Sequence, residues 1–509
     1  MERFFMLLVI LLYFAFLMFI GIRVSRLIKS SEDYFVAGRN LGFLAFMILI
    51  ISSIISGMTI LGASGLSFIA GWPSMWEPIF VTLSIALVFT VFGAKLYRIS
   101  SKYNYFTVQD YLSHRYQSPR TIRAISGIAG IIISFIYLTG QLTAISIVLS
   151  WLLEVTHFTA LFIATIVITV YVLLGGLYAI AYTTMFQGIA LFFGSLIIAP
   201  LIIRAAGGMQ FINEKLAQLD PNFVQAAFPQ TYPPAEEYAF LTPLFIVSFF
   251  LLLSFGLATA PHSINNVLSA RKASYFKWAP LCAFSLYLIA FYLIKISGFA
   301  SRVLYEQGHI QVPEPDYALI TAVEYALHPA AWVLFAVLVL AAVMSTTDRL
   351  LLTIATIYGW DIHKNLINPQ IDDQKLRLIT RLIVVLSSIL AFLAAINPPE
   401  LLAWLIWMAI GLMLSTFCAP LLAGLYWKRA TRQGGIWGMS GGLIAALFFG
   451  YLDNYLMDLP VHFSLFGLIA SIILLVVVSL SSPPPDKELL EETETGLFIK
   501  KKSRHFSGV

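Results

Sequence analysis

Apolar runs of about 20 residues recur along nearly the whole chain of 509 residues, separated by short polar segments. A helix needs about 20 mainly apolar residues to cross about 30 Å of hydrocarbon, so each run predicts one membrane span. The predicted spans, numbered 1 to 13 in chain order, are 4–24, 43–70, 77–97, 123–152, 157–178, 182–205, 240–265, 276–301, 328–358, 377–396, 399–427, 435–453 and 462–481. The pattern predicts an all-α integral membrane protein.

The composition excludes a water-soluble protein. Hydrophobic residues make up 59% of the chain and charged residues only 11%, with a mean hydropathy of +0.86, whereas soluble domains have about 25% charged residues. The first apolar run is too long for a signal peptide and lacks a small-residue cleavage site, so we interpret it as a retained span. Cys282 and Cys418 lie in apolar runs without metal-ligand spacing.

Residues 1–481 are predicted to form a single transmembrane domain, followed by a tail at 482–509. The tail begins with three prolines, Pro483 to Pro485, and continues with mixed charge. It has too few apolar residues to fold alone, so we expect it to be cytoplasmic and disordered.

The basic residues are divided unevenly between the two sides of the membrane. With thirteen spans and an external amino terminus, 25 of the 31 Lys and Arg residues fall on the inner side. Cytoplasmic loops are enriched in Lys and Arg, so the amino terminus is predicted outside and the carboxyl terminus inside, in the cell membrane. The positive charge is therefore a topology signal and does not indicate nucleic-acid binding.

Two spans contain small and polar residues that interrupt the apolar pattern. Span 2 is rich in Ser, Thr and Gly between Ser52 and Gly65, and span 7 carries Ser254, Gly256, Thr259 and Pro261. Proline removes a helical hydrogen bond, and free backbone groups are tolerated in a membrane only inside protein or beside a wet cavity. Both spans are therefore predicted to be broken helices.

The two broken spans begin two predicted halves of five spans each, spans 2–6 (43–205) and spans 7–11 (240–427). Because five is odd, the second half enters the membrane from the opposite side. Interrupted spans at matching places in inverted halves indicate a transport site near the midplane, which predicts a secondary transporter working by alternating access. Span 1 precedes this repeat, and the extra spans at 435–481 follow it. The alternative is that the small residues only allow close helix packing.

One face of span 9 carries oxygen donors. Ala342, Ser345 and Thr346 are spaced i, i+3 and i+4 and share a helix face. Their two hydroxyls, with carbonyls of a broken span 2, suit a small hard cation, which prefers oxygen ligands. The alternative is that both hydroxyls donate to carbonyls of the preceding helical turn. On spacing alone, this alternative is the simpler one.

Five segments resemble motifs of the sodium:solute symporter family, in the family's order and at its spans. They are SEDYFVAGR (31–39), TVQDYLSHRY (107–116), GGL (175–177) with YTTMFQ (182–187), MSTTD (344–348) and WKRATRQG (427–434), the last followed by Gly438 and Gly441. The resemblance covers almost the whole chain. It implies an inverted five-helix repeat with one span before it and two after it, and Na⁺-coupled symport of a small organic solute.

The resemblance also implies a Na⁺ site of five oxygens. They are the carbonyl oxygens of Ser52, Ile55 and Ala342 and the hydroxyl oxygens of Ser345 and Thr346. Many family members have Asp where this chain has Thr184, and some proline-type members have Asp where it has Ile54. Because both carboxylates are missing, we expect one Na⁺ per cycle. Coupling to H⁺, or uncoupled transport by the same fold, is the alternative.

The solute is expected where the two breaks meet. The candidates for its contacts are Ser56, Gly57, Met58, Thr59, Gln141, Phe255, Gly256, Thr259 and Trp407. Each of them can instead serve helix packing. Pro261-His262 resembles the proline, pantothenate and monocarboxylate branches more than the sugar branch, although Asn265 and Asn266 stand where those branches often have Arg. An organic acid, amino acid or vitamin is therefore favoured, and a half-helix amino terminus can hold its carboxylate.

Three other protein classes compete with a transporter. A membrane-embedded enzyme needs converging His, Asp, Glu or Cys groups, and the sequence shows no such cluster. A sensor needs an output domain, whereas the tail has about 28 residues, and a channel predicts flux that neither saturates nor depends on Na⁺. The expected partners are the solute, Na⁺ and membrane lipid, with no obligate protein partner. The sequence identifies no partner for Arg349, since the adjacent Asp348 cannot face it across the helix.

Overall fold

The protein is represented by a computed structural model, which describes residues 2–231, 234, 236–397, 402–486 and 490. The regular elements in these residues are helices, which confirms the predicted all-α class. Ten helices are long and apolar enough to cross a membrane, or twelve if each of two bent pairs is one span. Of the predicted tail at 482–509, the structure describes only residues 482–486 and Leu490, and the rest lies outside the described residues.

The long helices follow the predicted spans closely. Their bounds are Glu2–Ser25, Trp72–Tyr103, Thr121–Leu153, His157–Ala205, Tyr275–Glu306, Pro329–Ile367, Asp373–Ala394, Leu402–Tyr426, Arg432–Tyr455 and Ser464–Ser481. Shorter helices, such as Ser31–Val36 and Val108–Arg115, lie in the connections.

Predicted spans 5 and 6 fall in one element of 49 residues, His157–Ala205. A straight helix of that length would measure about 70 Å, more than twice the thickness of the hydrocarbon. Gly176 interrupts it with φ 49° and ψ −149°. A Cβ at this position would lie 2.9 Å from the carbonyl oxygen of Tyr34, so glycine alone fits the turn. The count of thirteen spans stays a prediction.

Spans 2 and 7, the two predicted broken helices, are the two bent pairs. Span 2 consists of Phe43–Ile54 and Met58–Ala70, which meet at 62°, and span 7 of Pro243–Thr259 and Pro261–Ser269, which meet at 48°. Ala260 takes ψ 128° immediately before a proline, as the proline ring favours. Local sequence therefore accounts for the position of the second break.

Burial separates central helices from peripheral ones. The most apolar stretches of the helices at 121–153, 329–367 and 402–426 are 78%, 72% and 83% buried, against 33% for the first helix. Large apolar side chains of the first helix, such as Leu12 and Phe19, point outward. Apolar residues on the outside and polar residues in the centre are the distribution expected of a protein surrounded by lipid.

The loop between spans 8 and 9 packs on span 2 and on the start of span 11. A Cβ at Gly65 would lie 2.8 Å from the carbonyl oxygen of Pro315. The buried side chain of Asp316 accepts a hydrogen bond from the Leu402 N–H at 2.9 Å, one of the N–H groups that a helix start leaves without a partner. Burial raises the pKa of Asp316 to about 7; the Leu402 N–H opposes this shift and the charge of Glu314 adds to it.

We expect the protein to lose stability as the pH rises from about 4 to about 7. The folded protein holds a proton on Asp316 in this range and the unfolded chain does not, so a higher pH favours unfolding, by at most about 4 kcal/mol. Asp316→Asn keeps an acceptor for the Leu402 N–H but cannot ionise. Unfolding temperatures of wild type and Asp316→Asn at pH 5 and pH 8 test this, with Glu214→Gln, at an exposed position away from Asp316, as control. Equal pH dependence in wild type and Asp316→Asn contradicts the assignment.

Candidate functional site

At the break in span 2, side chains replace the missing helical hydrogen bonds. The Ser56 N–H donates to the Thr59 hydroxyl at 3.2 Å, and the Gly57 N–H donates to Oε1 of Gln141 on span 4 at 2.9 Å. In an uninterrupted helix both N–H groups would donate to carbonyls four residues earlier. The carbonyls at the end of Phe43–Ile54 are thereby free to accept from other groups, and the helix dipole makes this end negative.

Span 9 places two hydroxyl groups against these carbonyls. The Thr346 hydroxyl lies 3.1 Å from the carbonyl oxygen of Ser52 and also contacts that of Ile55. The Ser345 hydroxyl lies 3.2 Å from the Ser52 oxygen and 2.7 Å from the carbonyl oxygen of Ala342. All five residues are buried. The five atoms expected as Na⁺ ligands thus lie together.

Hydrogen bonding within span 9, the simpler alternative, holds for some of these hydroxyls. Ser345 donates to the carbonyl three residues before it, and Thr347 donates to Val343 at 2.7 Å. Thr346 instead reaches across to span 2. The cluster offers a cation three carbonyl and two hydroxyl oxygens, and none of them has to lose a proton first.

The solute candidates on spans 2 and 4 meet at the break. Gly57 packs so closely on span 4 that a Cβ would lie 2.3 Å from the Cβ of Ala144. The Thr59 hydroxyl also lies 3.2 Å from the hydroxyl of Tyr287 on span 8. Ser56, Met58, Thr59 and Gln141 are buried, so a solute reaches them only after helices move.

The candidates on span 7 contact their own span or spans 11 and 13, rather than the candidates at the break in span 2. Thr259 donates to the carbonyls of Phe255 at 2.8 Å and Gly256 at 3.3 Å, within its own span. Gly256 packs against span 11, where a Cβ would lie 2.7 Å from Cγ2 of Ile410. Phe255 packs on an apolar cluster of spans 11 and 13. The structure does not bring Phe255 together with the span 2 candidates.

A buried ion pair that the sequence analysis missed joins spans 3 and 8. Nζ of Lys295 on span 8 is 2.5 Å from Oε2 of Glu77 on span 3, and both side chains are fully buried. The indole of the candidate Trp407 faces the same carboxylate, and Tyr287, which contacts Thr59, is close to it. The available signal was Lys295 in the middle of span 8, because ionisable residues within spans are rare and usually functional.

Comparison with known proteins gives one family. The sequence model described as "Sodium:solute symporter family" matches residues 34–442. The chain is 26% identical to the sodium/pantothenate symporter of Escherichia coli, with 84% of this chain and 87% of that protein covered. It is 24% identical to the sodium/proline symporter of Salmonella typhimurium, with 88% and 89% covered.

Solved structures share the fold. A Na⁺-coupled sialic acid symporter in a substrate-bound, outward-open state superposes with a TM-score of 0.79 at 17% identity, covering 96% of this chain and 99% of that one. A nucleobase-cation-symport-1 family transporter in a closed conformation superposes with a TM-score of 0.54 at 14% identity, covering 90% and 97%. At these identities the likeness concerns the fold.

Removing one member of the Lys295–Glu77 pair should destabilise the protein strongly. Lys295→Met leaves a buried carboxylate without its counter-charge, a change that typically costs about 3–5 kcal/mol. The double variant Glu77→Leu with Lys295→Met should recover most of this stability without recovering uptake. Unfolding temperatures and uptake into proteoliposomes measure the two effects.

The control for this test is the exposed pair of Lys375 and Asp372, whose atoms are 3.4 Å apart. Lys375→Gln should cost less than about 1 kcal/mol, because water screens exposed pairs. Full uptake by the double variant of Glu77 and Lys295 would show that the buried pair serves stability only.

Proposed function

The chain belongs to the sodium:solute symporter family, and on this premise we propose where it binds its ion and which class of solute it carries. It is a multi-pass membrane protein that couples movement of a small organic solute to that of Na⁺. The proposed location is the cell membrane, with the amino terminus outside, because the basic residues are concentrated in the predicted inner loops.

The proposed Na⁺ ligands are the carbonyls of Ser52, Ile55 and Ala342 and the hydroxyls of Ser345 and Thr346. The observation that carries this proposal is the Thr346 hydroxyl, which leaves its own helix and contacts two carbonyls at the break. A hard cation suits such a set of oxygens, and the negative end of Phe43–Ile54 adds to the attraction. With Thr184 and Ile54 in place of carboxylates, one Na⁺ moves in each cycle.

Coupling follows from the short distance along the chain between the ion ligands and the solute candidates. Ile55 is followed directly by Ser56 and Gly57, whose backbone groups are held by side chains rather than by the helix. Na⁺ bound between spans 2 and 9 fixes the course of the chain through the break. It thereby raises the affinity of a solute that binds there, and by linkage the solute raises the affinity for Na⁺ by the same factor.

The proposed solute is an organic acid, amino acid or vitamin, contacted by candidates at the breaks. The relatives described above carry pantothenate and proline, and both compounds have a carboxylate. The ion pair of Glu77 and Lys295 adds an acceptor and a donor, and Nε2 of Gln141 has no hydrogen-bond partner among the described residues. A solute with a carboxylate and further polar groups fits this lining.

A thermal-shift screen tests the solute class. Purified protein is heated with Na⁺ or K⁺ in the presence of L-proline, pantothenate, pyruvate or D-glucose. We expect Na⁺ to raise the unfolding temperature, and a carboxylate to raise it further only when Na⁺ is present. A ligand at 100 times its Kd stabilises by about 2.7 kcal/mol. A response to D-glucose alone would contradict the proposed class.

Ser345→Ala combined with Thr346→Val should abolish Na⁺-driven uptake and the Na⁺-dependent rise in unfolding temperature. The two changes remove both hydroxyl ligands and keep the protein close to its original volume. Thr347→Val is the matched control, since its hydroxyl donates within span 9 to Val343 and is expected to be dispensable for Na⁺. Undiminished Na⁺-dependent uptake by the double variant would refute the ion site.

A further inference from the structure

Three arginines are almost fully buried in the part of the chain that the structure describes. Arg115 donates to three backbone carbonyls, and Arg123 donates to two carboxylates and a serine hydroxyl. Arg349 on span 9 differs from both. Its Nη1 donates to Oδ1 of Asn266 at 2.8 Å, whereas Nε and Nη2 have no acceptor among the described residues.

The adjacent carboxylate does not supply the missing acceptor. Oδ1 of Asp348 accepts a hydrogen bond from the hydroxyl of Tyr171 on span 5, and Arg349 takes part in none of the ion pairs found among the described residues. A guanidinium stays protonated in proteins, and a buried charge without a partner is costly. Arg349 therefore keeps two N–H donor groups without acceptors in the protein interior, where leaving them unpaired costs free energy.

The two unused nitrogens define the chemistry of the missing acceptor. Nε and Nη2 lie on one edge of the planar guanidinium, and their hydrogens point in the same direction. This edge matches the two oxygens of a carboxylate in a bidentate pair. Asn266 holds Nη1 and so fixes the orientation of the plane. The free edge of Arg349 is therefore suited to a carboxylate.

Arg349 lies on the same helix face as the proposed Na⁺ ligands of span 9. It follows Ser345 by four residues and Thr346 by three, a spacing that stacks side chains on one face. It is about one helical turn, or about 5 Å, further along the span. Its partner Asn266 belongs to Pro261–Ser269, the second half of broken span 7. In the predicted orientation both lie on the cytoplasmic side of the break.

A series of polar and aromatic side chains connects the break in span 2 with Arg349. The hydroxyls of Ser56 and Tyr137 lie close to each other. The Tyr137 ring packs edge-on against His262 at 5.4 Å, and His262 is close to Arg349. A solute leaving the break on this side meets these groups in turn, with Arg349 last.

We propose that Arg349 binds the carboxylate of the solute on the predicted cytoplasmic side of the break, as a second position on the transport path. The inference rests on the proposed function and deepens it, since it names the solute group that the path recognises. Asn266 is a positioning residue for Arg349. Because Arg349 and Asn266 sit on different spans, solute bound here also senses whether span 7 is packed on span 9.

The test compares wild type with Arg349→Gln in proteoliposomes and in thermal-shift assays. The carboxylate probes are L-proline, pantothenate and pyruvate, and the neutral probes are panthenol and D-glucose, all in sodium sulfate so that chloride does not compete. We expect Arg349→Gln to weaken carboxylate binding from the inner side by about tenfold to a hundredfold, the range for charged hydrogen bonds. The Na⁺-dependent stabilisation should persist and should not decrease, because the variant keeps all five proposed Na⁺ ligands and loses a nearby positive charge.

Arg349→Lys is the second variant, because it keeps the buried charge but not the bidentate edge. It should also weaken carboxylate binding, and it serves as the test if Arg349→Gln does not fold. Three results would overturn the inference: unchanged carboxylate affinity in the variant that folds, stabilisation of wild type by neutral probes only, or a response to added chloride in place of the carboxylates. A wild-type protein that Na⁺ does not stabilise contradicts the proposed function instead.

Discussion

The centre of this protein depends on how the backbone groups freed at the break in span 2 are satisfied. An unsatisfied peptide group in a membrane interior costs several kcal/mol, so the break persists only if neighbouring elements supply partners. Gln141 on span 4 accepts from the Gly57 N–H, and Thr59 accepts from the Ser56 N–H. Thr346 on span 9 donates to the carbonyls on the other side. The break therefore joins three spans that are distant in sequence.

The same interruption gives the two sides of the break opposite electrical character. The carbonyl end of Phe43–Ile54 is the negative end of one helix dipole, and the helix that follows the break starts at the positive end of its own. The proposed ion and solute sites therefore share one short piece of backbone. A change in the course of this piece alters both sites at once, so the transmission of coupling needs no long chain of contacts.

Sequence was informative where a signal is local. Proline, glycine and serine within apolar runs predicted both bent spans, because these residues alter the helix in which they stand. Sequence was uninformative where the same residue spacing is compatible with different hydrogen-bond contacts. Ser345 and Thr346 look alike in sequence, yet Ser345 contacts a carbonyl of its own helix as well as span 2, whereas Thr346 contacts only carbonyls of span 2. Spacing marked both residues but did not distinguish a cation site from bonding within the helix; the resemblance to a family favoured the cation site.

Contacts between residues far apart in sequence could not be predicted, for a similar reason. Glu77 lies in the first half of the chain and Lys295 in the second, and no local pattern indicates that they meet. Asn266 departed from the family pattern and Arg349 had no partner identifiable from the sequence, but their contact is visible only in three dimensions. The two unexplained residues are thus parts of one local arrangement.

The contact between Asp316 and Leu402 makes the two faces of the transporter unequal. The loop that carries Asp316 lies on one side of the membrane, so its proton occupancy follows the pH of one aqueous phase and is indifferent to the other. When that phase alone becomes alkaline, the folded arrangement around Asp316 loses stability, because the buried carboxylate becomes charged, although the hydrogen bond from the Leu402 N–H itself favours the charged form. Forward and reverse transport then differ in their kinetic dependence on pH, even though Asp316 itself carries no proton across the membrane.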